Sequence, residues 1–398
     1  MATPPLGVEP PALVLVTGAT GFIASHIVKQ LLDAGYRVRA SVRNVKDRKK
    51  YEYLYQLSPG ADEASGRLEM VALELTDPSG WDEAAAGCEG AVAVAMNVFK
   101  PSAKKIGDPK TTFLEPAIKG VNHLLSACNK SGTVRRVVFT SSITAMTEKF
   151  EGWRSKTFSA EDWDATASLA HNAYGYAKTQ AERRVHEFMN DPAQNTTNMS
   201  YATVLPFMVM GPSLGAQPGE NDLDSVLRLL NGDFPVLPPL AFGVTDVRDV
   251  AAVHVAALRV PAAHGHRFIA SGEVCDARAF VKLVAEAFPE YKDRYPTVVV
   301  PKWVITLAGL AIFNKGVRDY MSANMAVMPK LDTAPVRDVL GVTFHPSTET
   351  VRDSGQFLVE KKLVREPGKK KRDGHARHGH HHHHHAAAEG GAVAAKGA

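Results

Sequence analysis

The chain has 398 residues, 45% hydrophobic and 22% charged, enough to bury a large core in one α/β unit or two closely joined ones, and unlike a disordered or fibrous composition. Its formal net charge is +4, but Lys369 to Arg372 (KKKR) carry four positive charges by themselves, so the body is close to neutral, which argues against a nucleic-acid surface. Cys88, Cys128 and Cys275 are odd in number and widely spaced, so they suggest neither a disulfide framework nor a metal site, and a reducing compartment is expected.

Residues 1–11 hold four prolines and little to pack, and read as a disordered leader. No basic segment followed by a continuous apolar stretch opens the chain, so no secretory signal is expected and cytoplasm is the default compartment. From residue 12, short β-branched runs alternate with helical periods, the pattern of a parallel sheet covered by helices. The predicted strands are LVLV (13–16), RVRASV (37–42), LEMVAL (68–73), AVAVA (91–95), RVVFT (136–140) and YATVL (201–205). Between them Ile23, Ile27, Leu31 and Ala34, and then Ile118, Val121, Leu125 and Cys128, recur at helical spacing and give each helix an apolar face for the sheet.

After Pro206 the rhythm breaks into Pro- and Gly-rich segments, GPSLGAQPGEND and FPVLPPL, which suit loops that set substrate specificity. The longest apolar run, Trp303 to Phe313, has eleven residues where a bilayer span needs about 20, so it reads as a packed helix and no membrane partner is expected. The tail from Glu366 onward is basic and rich in His, Ala and Gly, with six consecutive histidines at His380 to His385. It reads as disordered, its histidines as a tag or low complexity, and it is assigned no function. The expected fold is a Rossmann-type doubly wound parallel sheet with a smaller C-terminal lobe. Residues 12–206 form the dinucleotide-binding domain, 243–270 return to it, and 207–242 with 271–365 form the substrate-binding lobe.

LVLVTGATGFIASHIVKQLL sets Gly18, Gly21 and Ala24 directly after a strand and at the start of an amphipathic helix. Gly18 can take the tight turn, Gly21 lets a pyrophosphate approach the backbone, and Ala24 keeps the helix close to the sheet while N–H groups face the phosphates. An acid at the end of the second strand would bind a ribose 2′-hydroxyl and repel a 2′-phosphate. None is present. RVRASVRNVKDRKK offers Arg39, Arg43, Arg48, Lys49 and Lys50 instead, and Arg43 is placed to fork onto a phosphate, which favours NADP(H).

NAYGYAKTQAE sets Tyr174 and Lys178 four apart at the start of a helix, on one face and one turn apart. A phenol with an ordinary pKa of about 10 is a poor proton donor at neutral pH, and a neighbouring ammonium stabilises its phenolate, the usual route to a tyrosine general acid. Upstream, RRVVFTSSITAM is a buried strand ending in two serines. Strand ends at the carboxyl edge are where such sheets bind ligands, so Ser142 or, one residue away, Ser141 would hydrogen-bond a carbonyl oxygen. Side chains alternate on a strand, so only one of the two can point inward.

These segments, together with FLEPAIKGVNHLLSAC, LPFMVMGP and DVRDVAAVHVAAL in the same order, make residues 12–365 resemble the extended short-chain dehydrogenase/reductases. Within them the likeness is to the dihydroflavonol 4-reductase-like group, which includes fungal methylglyoxal and ketone reductases. The resemblance implies Ser142, Tyr174 and Lys178 as the catalytic triad and Gly18, Gly21, Phe22 and Ile23 as the phosphate loop. It implies Arg43 and Lys49 near a 2′-phosphate, Glu74, Leu75 and Ala95 along the cofactor, and Pro206 beside the nicotinamide, with Tyr174 and Lys178 also touching the cofactor. Glu74 stands where the family commonly has Asp, and Ala93 where it often has His. NAYGYAK differs from the form found in cinnamoyl-CoA reductases, so a CoA thioester is not the expected substrate. The expected activity is NADPH-dependent reduction of a small aldehyde or ketone by a monomer or homodimer, with no resident metal. Two alternatives are a sugar-nucleotide epimerase or dehydratase with tightly held NAD, and a non-catalytic NADP-sensing regulator on the same fold.

Overall fold

The computed structural model describes residues 5–94, 107–215, 223–312 and 315–366. In chain order the strands are β1 (Leu13–Val16), β2 (Arg37–Val42), β3 (Leu68–Ala72), β4 (Gly90–Ala93), β5 (Arg136–Thr140), β6 (Thr157–Phe158), β7 (Ser200–Pro206), β8 (Met208–Met210), β9 (Ala241–Asp246), β10 (Arg267–Ala270), β11 (Val274–Asp276) and β12 (Lys330–Leu331). The helices are α1 (Phe22–Asp33), α2 (Trp81–Ala85), α3 (Glu115–Ser131), α4 (Ile143–Met146), α5 (Ala173–Asn190), α6 (Leu223–Asn231), α7 (Val247–Arg259), α8 (Ala277–Ala287), α9 (Lys302–Ile312), α10 (Lys315–Asn324), α11 (Ala334–Asp338) and α12 (Ser347–Glu360).

A seven-stranded sheet in the order β10-β7-β5-β4-β1-β2-β3 is parallel at every pairing. Helices cover both faces, as in a Rossmann-type sheet. Because strand residues alternate, Val14, Val16 and Val38 face the layer of α1 and α7, whereas Leu13, Leu15 and Val137 face α3 and α5. The six predicted strands are all in place, and β10 adds a seventh that the four-residue RFIA does not announce by periodicity. A second core gathers residues of α6, α8 and α12, among them Val226, Phe280 and Val351, beside a three-stranded sheet ordered β11-β9-β8.

Two expectations are corrected. Residues 5–11 are not a loose leader: Val8 is fully buried, its N–H donates to Leu258 O at 3.0 Å, and its carbonyl accepts the Tyr36 hydroxyl at 2.6 Å. The physical reason is Gly7, which lies so close to Arg259 that a Cβ would sit 1.7 Å from its carbonyl oxygen. Within the 303–313 run, residues 303–312 do form a helix, part of α9, but Trp303 and Leu307, one turn apart, are 67% and 64% exposed. A run that is apolar all round has apolar side chains left over on its outer face once one side meets the body.

Candidate active site

The strand ends put the predicted residues along one edge. Since the main strands run parallel, Gly18 after β1, Arg43 after β2, Glu74 and Leu75 after β3, Ser142 after β5 and Pro206 at the end of β7 all lie at the carboxyl edge of the sheet. Ala95 falls outside the described residues.

The phosphate loop is built for an anion. Gly18 has φ +62°, and its N–H donates to Ser41 Oγ at 3.0 Å. Gly21 is the N-cap of α1, with no side-chain cap and no acid in the first turn, so Phe22 and Ile23 begin a helix whose first N–H groups have no intrahelical partner. A Cβ on Gly21 would meet the Gly18 carbonyl at 3.2 Å. An uncapped helix start behind a bare glycine is a fit for a dinucleotide pyrophosphate.

The basic residues separate. Arg39 is structural, bonding Glu69 at 2.8 Å and the carbonyls of Ala84 and Ala86, both at 2.7 Å. Arg48 pairs with Glu63. Lys49 is exposed in the 3₁₀ turn Arg48–Lys50. Arg43, just past β2, is 72% exposed, with its Nε 3.7 Å from Glu74, and so is open to an approaching phosphate.

The residues predicted to react stand on α5 and just past β5. Asn172 caps α5 from a left-handed conformation (φ +54°). Its Oδ1 accepts from Gly175 N at 3.1 Å, and its Nδ2 donates to buried Glu148 at 3.0 Å. Gly175 is needed there, because a Cβ would lie 2.6 Å from Asn172 Nδ2. Tyr174 is half-buried, its ring edge-on to Phe113 with centroids 6.2 Å apart. Lys178 is buried and donates from Nζ to Thr140 O at 3.3 Å. Burial pushes its pKa down to about 8, against the pull of the Glu182 carboxylate.

The strand end is fixed from below by His254. Burial drives its pKa down to about 4, so the ring is neutral. Its Nδ1 lies 2.7 Å from Val250 O and must carry the proton, which leaves Nε2 to accept from Thr140 Oγ1 at 2.7 Å. The two serines then diverge. Ser141 is 2% exposed and donates to Glu182 Oε2 at 2.6 Å, whereas Ser142 is half-buried and caps α4, its Oγ accepting from Thr144 N at 3.3 Å and from Thr144 Oγ1 at 3.0 Å. Sequence reasoning missed Phe113, Thr140 and His254. A signal existed for His254 within DVRDVAAVHVAAL, where it faces inward from an amphipathic helix; none existed for Phe113.

The family described as NAD dependent epimerase/dehydratase matches residues 14–270. The chain belongs to this family. Within it, the chain is an oxidoreductase of the extended short-chain dehydrogenase/reductase type, dihydroflavonol 4-reductase-like group. It is 34% identical over 280 residues to Tetraketide alpha-pyrone reductase 2 of Arabidopsis thaliana, covering 70% of this chain and 83% of that protein. It is 30% identical over 285 residues to the bifunctional dihydroflavonol 4-reductase/flavanone 4-reductase of Pyrus communis, covering 70% and 77%. Among solved structures, yeast methylglyoxal/isovaleraldehyde reductase Gre2 complexed with NADPH superposes with TM-score 0.70 at 25% identity, covering 88% of this chain and 100% of that one. Reductase relatives imply a small-molecule substrate, and among the described residues no helix is long and apolar enough to cross a membrane.

Proposed function

We propose that this oxidoreductase uses NADPH to reduce the carbonyl of a small aldehyde or ketone. The observation that carries the reading is the placement of Lys178: its amine rests against the carbonyl of Thr140, two residues before Ser142, and one helical turn from Tyr174. That contact supports a hydroxyl, a phenol and an amine acting together from α5 and the turn after β5, at the carboxyl edge that also carries the phosphate loop.

When bound, the dinucleotide supplies a hydride. Gly18, Gly21, Phe22 and Ile23 would hold its pyrophosphate, Arg43 its 2′-phosphate, with Lys49, Glu74, Leu75 and Pro206 flanking it. Ser142 Oγ donates to the substrate carbonyl oxygen and stabilises the charge that develops there. Tyr174 Oη delivers the proton to that oxygen. Lys178, positively charged, lowers the cost of the resulting phenolate and would hold the ribose hydroxyls of the dinucleotide. The absence of an acid after β2 supports the phosphate-bearing dinucleotide over NAD.

The test is loss of NADPH absorbance against a panel of aldehydes, diketones, flavonoids and steroids. The reading predicts oxidation with at least one carbonyl class and much slower oxidation of NADH. A purified sample that carries bound NAD and ignores added NADPH would overturn it in favour of an epimerase or dehydratase; tight NADPH binding with no turnover on any carbonyl would favour a sensor.

A further inference from the structure

We infer that the buried ion pair between Glu182 and Arg267 is a positioning device that aims Ser142 into the site, an inference that rests on the reductase reading above. Glu182 is fully buried on α5, two turns beyond Tyr174 and one beyond Lys178, on the same helix face. Both its oxygens are saturated. Oε1 accepts from Thr203 Oγ1 at 2.8 Å and Arg267 Nε at 2.7 Å; Oε2 accepts from Ser141 Oγ at 2.6 Å and Arg267 Nη2 at 3.2 Å.

Arg267 reaches this carboxylate from the edge strand β10 and is 5% exposed. Its Nη1 donates to the carbonyls of Ala160 and Asp162 at 2.7 and 2.6 Å, and the Trp163 ring lies 3.6 Å from the guanidinium carbon. Nη2 also reaches Ala145 O at 3.5 Å. The turn at Ser142 is therefore held on both flanks by one pair, through the hydroxyl of Ser141 just before it and the carbonyl of Ala145 three residues after. With Ser141 anchored toward the interior, the extended backbone at Ser142 (φ −155°, ψ 155°), just past β5, turns its side chain the other way.

Stability alone does not require such a pair, because apolar residues of similar volume usually serve a buried position as well or better. What the pair adds is direction. Its bonds tie α5, β5, β7, β10 and α4 into one register, so the face of α5 bearing Tyr174 and Lys178 is set against the Ser142 turn. A displacement of about 1 Å in such a site costs on the order of a hundredfold in rate.

The experiment compares full-length wild type with Ser141→Ala, Ser141→Thr, Glu182→Gln and the Ser141→Ala/Glu182→Gln double variant. It reads kcat, KM for the carbonyl, NADPH affinity by fluorescence, and melting temperature. Ser141→Ala, which removes one hydroxyl and leaves the ion pair, should lower kcat roughly tenfold with NADPH affinity within about twofold of wild type, and Ser141→Thr should restore most of it. Glu182→Gln should fall about a hundredfold, and the double variant should fall no further, because both changes act through one contact. A folded Ser141→Ala with wild-type kcat overturns the inference, as does a double variant whose losses multiply; if Glu182→Gln does not fold, Ser141→Ala decides. Tyr174→Phe separates the two levels. Turnover that survives it sinks the reductase reading itself, whereas turnover lost there but intact in Ser141→Ala sinks this inference alone.

Discussion

Lys178 is a cation kept at the edge of losing its proton. Burial pushes its pKa down to about 8 from the ordinary 10.5, so the amine proposed to support the Tyr174 phenolate is charged below that value and neutral above it. The sign follows: kcat/KM for carbonyl reduction should hold steady through neutral pH and decline as pH rises past about 8. A pH–rate profile that stays flat to pH 10 would contradict the role given to Lys178. Arg43 is the other residue whose chemistry is separable. Because it is 72% exposed, the bond proposed from it to a 2′-phosphate would be screened, and Arg43→Ala should weaken NADPH binding about tenfold, near 1.4 kcal/mol, while leaving NADH binding unchanged. Parallel fluorescence titrations with the two dinucleotides check it. At this scale the sequence marks the reactive residue types and their spacing. It leaves the choice between Ser141 and Ser142 open, because the Ser141 hydroxyl is taken by Glu182, itself paired with Arg267, and no local pattern connects either to the strand end.

The helix that bears Tyr174 and Lys178 is capped at its start by one residue. Asn172 closes the first turn of α5 and simultaneously satisfies buried Glu148, from a backbone conformation that disfavours a Cβ without a compensating polar side chain. Asn172→Ala should therefore cost about 1–2 kcal/mol from the lost cap, with a further loss from the strained backbone. Urea denaturation measures it, and a change below about 0.5 kcal/mol would show that the cap is not limiting. The long elements are legible because their periods are long: six strands rich in β-branched residues and the two helices α1 and α3 fall where patterning sets them. β10 is four residues long, too short for a period to emerge, and the five-residue π turn Lys110–Leu114 that delivers Phe113 to the Tyr174 ring has no compositional mark.

Across the whole molecule, the segment that prolines made look idle belongs to the core. Val8 seals the layer of α1 and α7, and Arg136, fully buried, donates to the carbonyls of Ala257 and Val260 at 2.8 Å and to Pro5 O at 3.4 Å. Val8→Asp would bury an unpaired carboxylate and should lower stability by roughly 3 kcal/mol or more, read as a drop in melting temperature. An unchanged melt would return residues 5–11 to the status of a leader. Polarity patterning did not find this segment because Val8 is the lone apolar side chain it buries, and the bonds at the Val8 backbone and the close approach at Gly7 leave no mark on hydropathy. The same long-range packing brings β1, β5 and α5 to one edge, and the account depends on Tyr174 acting there as the proton donor. The most direct measurement is NADPH oxidation with the best carbonyl substrate by wild type and Tyr174→Phe, with NADPH affinity measured on both. The account predicts turnover reduced by roughly a thousandfold with affinity nearly unchanged; a Phe variant that turns over at the wild-type rate would contradict it.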